Sequence, residues 1–311
     1  LGLRNWRKYL NKVVLLVLIL IAGILFELFT GPGEFTGEIM QLRILRVSLG
    51  IFAGGVLAFS GGILQGLFGN PLVEPYTLGS ASGAALGASI GIVLLGYANP
   101  AFSFLGSLMV GFLVLTIARI ESGLLRDRLI LTGVVMSFLC SSLVMLIMIG
   151  GKRELYEIIY LLMGYLGIVF TPERRFIFLL ISILSLFIML YLYRFHREFD
   201  IISTGVETAT SLGIDIQMFS IKVFILTTLL VSFIVSLVGA IGFVGLVIPH
   251  TSRMLFGPRH IKNLVGSFFL GSAFVLLADA MARNLVVYEL PTGIITSLIG
   301  VPFFIYLYRF K

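Results

Sequence analysis

The sequence predicts an all-α, polytopic membrane protein of ten transmembrane helices, and three observations predict it. Mean hydropathy is +1.10 and only 12% of residues are charged against 59% hydrophobic. Apolar runs of about 20 residues, the length of helix that crosses a bilayer, recur along the whole chain. The 35 glycines gather in stripes at helical spacing, the device by which helices approach closely where water supplies no driving force. Together these exclude a soluble enzyme.

The apolar segments fall at 12–30, 47–67, 77–97, 101–119, 129–150, 174–193, 220–238, 239–256, 264–285 and 291–309. The first is as long as the rest and has no small-residue cleavage site after it, so it reads as a retained helix and not a signal peptide. Gly50, Gly54, Gly55, Gly61, Gly62 and Gly66 stripe the second; Gly79, Gly83, Gly87 and Gly91 line one face of the third. The fifth carries Cys140, the single cysteine. One cysteine allows no internal disulfide and no cysteine-paired metal site, and in an apolar span it reads as a packing residue. The segment 239–256 is the least regular.

Two stretches interrupt the helical periodicity, 66–75 with Asn70, Pro71 and Pro75, and 242–250 with Pro249 and His250. Proline after a glycine-rich run frees backbone groups, which membrane depth tolerates only where protein or a water-filled path covers them. Both breaks are therefore expected to face inward.

Ten crossings place both termini on one side. With the N-terminus cytoplasmic, the outer set of basic residues is Arg43, Arg46, Lys152, Arg153, Arg174, Arg175 and Arg283, and the other fifteen of the 22 lie inside. The positive-inside rule favours that orientation. The net charge of +7 is mostly this orientation signal, not a nucleic-acid footprint.

Residues 194–220 form a polar interruption with six charged residues, cytoplasmic in this orientation. Within it, 203–213 reads as one short helix with Thr204 and Glu207 at capping-box spacing and Gly213 at the stop; Asp215 then caps the next helix. A passive interfacial helix and a docking site for a soluble protein both fit this composition. The sequence has no Gly-x-x-x-x-Gly-Lys-Ser/Thr segment, so it does not bind ATP by that device. Among acidic residues only Glu27 and Asp279 fall inside spans, both near outer ends, whereas ion-driven carriers need ionisable groups near the midplane. An ion-coupled secondary transporter is the competing class.

Several motifs in order resemble the permease subunits of the iron-siderophore, haem and vitamin B12 ABC importers, a family whose fold is that of the type II importers. They are Leu42-Arg43-Ile44-Leu45-Arg46, Ser60-Gly61 with Gln65, Asn70-Pro71-Leu72 with Glu74-Pro75, and Leu78-Gly79 with Gly83-Ala84. Thr208-Ala209 with Leu212-Gly213, the run from Gly239 to His250 with Arg253, Asp279, Arg283, Glu289-Leu290-Pro291-Thr292-Gly293 and Gly300-Val301-Pro302-Phe303-Phe304 follow. The resemblance covers nearly the whole chain.

It implies a homodimeric permease in the inner membrane with a central translocation path between the copies. It also implies two ATP-binding cassette subunits on the cytoplasmic face and a soluble or lipid-anchored substrate-binding protein outside. ATP and Mg would then sit in the partner ATPase, with no cofactor, metal or nucleic acid held by this chain. Gly205, Glu207, Thr208, Ala209, Leu212 and Gly213 match the ATPase-coupling loop. Arg43, Arg46 and Arg283 match outward basic positions that receive acidic residues of the binding protein. Asn70, Pro71 and Leu72 match the cytoplasmic narrowing of the path, and 154–167 the short outer helix that gates it. One departure is Leu45, where family members commonly have proline. The chain's cargo is expected to be a ferric siderophore, haem or cobalamin, with an oxyanion such as molybdate compatible. No histidine falls at mid-span, so the resemblance implies a path that passes its cargo without coordinating it.

Overall fold

Thirteen α-helices and one 3-10 turn make up the described residues of the computed structural model, which are 2–31, 36–97, 99–119, 125–150, 155–285 and 288–309. For 2–11, 155, 156, 307 and 308 only the backbone is described. Arg4, Arg7, Lys8, Lys152, Arg153 and Lys311 of the charge count, and Glu154 of the outer segment, therefore lie outside the described side chains.

Seven helices are long and apolar enough to cross a membrane: α1 (Gly2–Phe29), α2 (Gly37–Phe68), α4 (Pro100–Arg119), α5 (Leu125–Gly150), α7 (Pro172–Tyr193), α10 (Ile216–Val238) and α12 (His260–Asn284). Three further predicted spans are shorter helices, α3 (Ser80–Leu95), α11 (Val244–Phe256) and α13 (Thr292–Arg309). The remaining helices, α6 (Leu155–Met163), α8 (His196–Thr204) and α9 (Val206–Ser211), lie at the two ends of the bundle.

Helix α2 is the axis of the molecule. It is 83% buried across its apolar window, packing on α12, α11 and α10. The glycines make this possible: a Cβ on Gly54 would stand 2.2 Å from the Gly271 carbonyl oxygen, and one on Gly271 2.3 Å from that of Gly54. Helices α3 and α4 meet the same way, with Gly83 against Gly106 and Gly87 against the Phe102 carbonyl. By contrast α5 and α7 are each 22% buried. They present Leu131, Phe138, Leu146, Phe176 and Phe187 outward, as lipid-facing helices do.

Two boundaries differ from the sequence reading. Helix α2 begins at Gly37, capped by the Thr36 hydroxyl, and runs unbroken to Phe68. Arg43 and Arg46 therefore lie within it and not before it; with Leu45 in place of proline nothing stops the helix there. The second break sits earlier than expected, at 239–243, with His250 inside α11.

Candidate functional site

The two helix breaks meet. The 3-10 turn Pro75–Leu78 follows the first, and its Tyr76 hydroxyl accepts the Ile241 backbone N–H at 2.8 Å. The Glu74 carboxylate takes the Phe243 N–H, next to the one described non-glycine residue with positive φ, Phe243 at 66°. Gly245 lies so close to Pro75 that a Cβ would meet its ring at 2.5 Å. Sequence reading expected both breaks to face inward; that each supplies the other's missing partners was not legible in it.

Pro249 lies within α11 and has no N–H to offer the carbonyl four residues back, Gly245. Gln65 fills that gap from α2: its Nε2 donates to the Gly245 carbonyl at 3.2 Å and to that of Leu246 at 3.1 Å. Its Oε1 accepts from Arg253 Nη2 at 2.5 Å. Gln65 is 4% exposed. Every polar end of this side chain is thus used to hold a proline-containing helix against α2.

At the end carrying the polar interruption, the single helix expected over 203–213 is two. Gly205, with φ 141° and ψ 150°, separates α8 from α9, and the Thr204 hydroxyl turns back to the Ile201 carbonyl, so no capping box with Glu207 forms. The stop is as expected: Gly213 has φ +83°, its N–H donates to Thr210 and that of Ile214 to Ala209, a Schellman termination. Asp215 caps α10 through the Met218 N–H at 3.0 Å. Glu207, Thr208 and Gly213 are exposed, Leu212 is 62% exposed, and Ala209 is buried toward the core.

The pair is fixed to the bundle by α8. Phe199 is fully buried and Ile202 nearly so. Asp200 accepts both the backbone N–H of His260 at 2.8 Å and its ring Nδ1 at 2.6 Å. His260, expected in a loop, opens α12 instead, with Nε2 filling the space beside Gly66 of α2. This latch was missed because Asp200 and His260 are sixty residues apart.

Asn70 forms a local turn, its Oδ1 accepting the Leu72 N–H at 2.9 Å just after the left-handed Gly69. Pro71 and Leu72 are exposed beside it.

At the opposite end Arg43, Arg46 and Arg283 come together, and they are not loose surface charges. Arg43 is 4% exposed and donates to the carbonyls of Leu28 and Gly31 at the end of α1. Arg283 is 7% exposed and pairs with Glu27 at 2.8 Å. Arg46 holds Asp279 with two nitrogens, at 2.6 and 3.1 Å, and Glu289 with the third at 3.1 Å. Thr292 adds a hydrogen bond to Asp279. The predicted outer carboxylates Glu27 and Asp279 are thus the arginines' own partners. Tyr165 donates to Glu289 Oε2 at 2.5 Å, and Tyr160 to the Glu289 carbonyl at 2.9 Å. Burial and the neighbouring carboxylate push the Tyr165 hydroxyl above the usual phenol range, which keeps it a donor.

Two cavities flank these groups. One of about 410 Å³ is lined by Tyr97, Glu157, Tyr160, Tyr165, Arg174 and Gly239. The other, about 290 Å³, is mostly apolar, lined by Leu162, Met163 and Ala240 with the hydroxyls of Tyr76, Ser82, Ser137 and Ser297 and without a formally charged residue. Among the described residues no group of three His, Cys, Asp or Glu side chains is placed to hold a metal ion.

Residues 9–310 match the model of the FecCD transport family. The chain belongs to that family. It is 35% identical over 86% of its length to the cobalamin import system permease protein BtuC of Halobacterium salinarum, covering 72% of that protein. It is also 35% identical to the hemin transport system permease protein HmuU of Yersinia pestis, over 86% of this chain and 82% of that one. A solved structure described as an inward-facing conformation of a metal-chelate type ABC transporter superposes with TM-score 0.83 at 32% identity, covering 97% of this chain and 99% of that chain. The FecCD chain described here is accordingly a multi-pass ABC-transporter permease of the inner membrane.

Proposed function

We propose that this FecCD-family chain is the transmembrane subunit of a binding-protein-dependent ABC importer that moves a metal chelate, a ferric siderophore, haem or cobalamin, into the cytoplasm. Two copies form the path and a separate ATPase drives it with ATP and Mg. Each copy crosses ten times with both termini cytoplasmic, the short helices α3, α11 and α13 crossing where neighbours cover their ends. The relatives named for cobalamin and hemin support the cargo class. The 290 Å³ cavity supports the path: a mostly apolar lining with a few hydroxyls and no charged side chain suits passage of a bulky chelate without capture. Asn70, Pro71 and Leu72 narrow the path at its cytoplasmic end.

The observation that carries this reading is the α8–α9 pair. It presents Glu207, Thr208 and Leu212 outward while Phe199, Ala209 and the Asp200–His260 pair fix it to α2 and α12. A compact helix pair anchored to the core by buried side chains is placed to pass a docking partner's motion inward, and force on it reaches α2 and α12. ATP-driven motion at this loop therefore switches the dimer between accessible states. Leu212→Asp abolishes co-purification of the ATPase while the permease still folds and inserts; undiminished co-purification overturns the assignment.

On the outer face Arg43, Arg46 and Arg283 form the seat for acidic residues of the binding protein. Their internal pairing gives them fixed positions, so a partner meets a preorganised surface.

A further inference from the structure

Within the outer cluster the ligands of Arg46 are unequal. Asp279, whose side chain is 1% exposed, grips Nε and Nη2. Nη1 is held by Glu289, 31% exposed, from the leader between α12 and α13. Neighbouring Tyr288 is 81% exposed. Glu289 also bonds Arg46 and Tyr165 through the same oxygen, Oε2. Whatever removes that oxygen from Arg46 removes it from Tyr165 too.

Tyr165 follows Gly164, whose φ of +70° marks the turn out of α6, and its ring stacks edge-on against Tyr160 of α6 at 5.0 Å. The segment is also tied by backbone bonds to the end of α10, Ala240 to Leu161 and Tyr165 to Val238, by the Tyr160 hydroxyl on the Glu289 carbonyl, and by Ile158, which is buried in the core. Helix α6 is thus fixed on one side by backbone and on the other by the leader that carries Glu289.

We propose that Glu289 is an internal stand-in for a partner's carboxylate. An acidic side chain of a protein docking on the outer face takes its place on Arg46 Nη1, and that exchange frees Tyr165 and loosens the end of α6 that leads into it. The inference rests on the docking reading of the outer arginines. The cluster sets Arg43, Arg46 and Arg283 against Glu27, Asp279 and Glu289, equal in formal charge. Exchanging one carboxylate for another leaves that balance unchanged, and a carboxylate carried by a docked protein is held at the site by the rest of the interface, which a small free anion lacks. The occupant is therefore a protein whose own surface shields the incoming acid and accommodates the displaced one.

The test uses the permease with its ATPase subunits in lipid nanodiscs and the substrate-binding protein encoded beside it. A spin label at Ile159, a half-exposed position of α6, reports on that helix. Glu289→Ala, which removes the acceptor oxygen shared by Arg46 and Tyr165, tightens binding of the binding protein by about fivefold, the scale of one partly exposed charge pair, and gives the end of α6 in the free complex the mobility it otherwise gains only on docking. Tyr165→Phe mobilises the same end while leaving affinity nearly unchanged, and it serves if Glu289→Ala fails to assemble. If Arg46→Gln weakens docking but Glu289→Ala neither tightens it nor loosens α6, the inference falls and the docking reading stands. If Tyr165→Phe leaves α6 as in the unmodified complex, the release mechanism falls. Undiminished docking to Arg46→Gln overturns both.

Discussion

Gln65 illustrates how one side chain decides the behaviour of a helix it does not belong to. A proline in α11 leaves the Gly245 carbonyl without its helical donor, and a side chain from a neighbouring helix can supply one. Gln65 supplies two donors there and one acceptor to Arg253. Gln65→Leu strands the Gly245 carbonyl and a guanidinium, and each buried group left unpaired costs about 1–3 kcal/mol. The apparent Tm of the detergent-purified protein therefore drops markedly. Gln65→Glu, which keeps the acceptor for Arg253 and loses the donors, falls between. Equal melting of Gln65→Leu and the native chain would show that water replaces the amide. Sequence reading placed Gln65 in a motif and gave it no task, because its partners lie some 180 residues away.

The outer arginines carry the opposite lesson. Their residue types and approximate depth were legible, since Lys and Arg at span ends set orientation. Their environment was not. Glu27 drew notice only as a poor candidate for ion coupling, and Asp279 as that and as part of a motif, yet they fix Arg283 and Arg46. Nothing in linear spacing pairs position 27 with 283 or 46 with 279; only the packing of α1, α2 and α12 does.

At the scale of elements, helix contacts follow the glycines. A Cβ at Gly54 would be driven into the Gly271 carbonyl, and neither helix backbone yields cheaply in a packed interface. Gly54→Ala costs about 1–3 kcal/mol through the forced separation of α2 from α12. Gly37→Ala is near neutral, since a Cβ there meets nothing within 4 Å. Similar thermal melting of the two variants would refute the close-approach account. The stripes in α2 and α3 announced such contacts, because spacing alone puts those residues on one face. Which helix lies opposite each stripe had to come from the fold.

The polar interruption divides in the same way. Gly213 and Asp215 act as local chemistry demands, since a left-handed stop and an N-cap depend only on neighbouring residues. The expected continuous helix over 203–213 gave way at Gly205, because α8 is held by Phe199 and Asp200 against α2 and α12. Tertiary anchoring outweighed a capping box that is worth about 1 kcal/mol.

At the scale of the molecule, orientation is the property with the most consequences, since it assigns the α8–α9 pair and the arginine cluster to opposite faces. The single cysteine, Cys140, is buried, which makes labelling direct. In a Cys140→Ser background, Leu212→Cys reacts with a membrane-impermeant maleimide only in inside-out vesicles, and Tyr288→Cys only in right-side-out cells. The reverse result would exchange the proposed faces of the ATPase and the binding protein.

The sequence by itself determined the class of the protein, the approximate helices and the family it belongs to. These follow from hydropathy and short motifs, all of which are local. Only the tertiary structure decided that the two helix breaks complete one another, that Gln65 repairs a proline helix, that Asp200 latches the α8–α9 pair to α12, and that Arg46 is shared between a buried Asp279 and a partly exposed Glu289. Each of these is a polar group satisfied across a long stretch of chain. In a packed membrane bundle such groups are paired by long-range packing, which the linear sequence does not display.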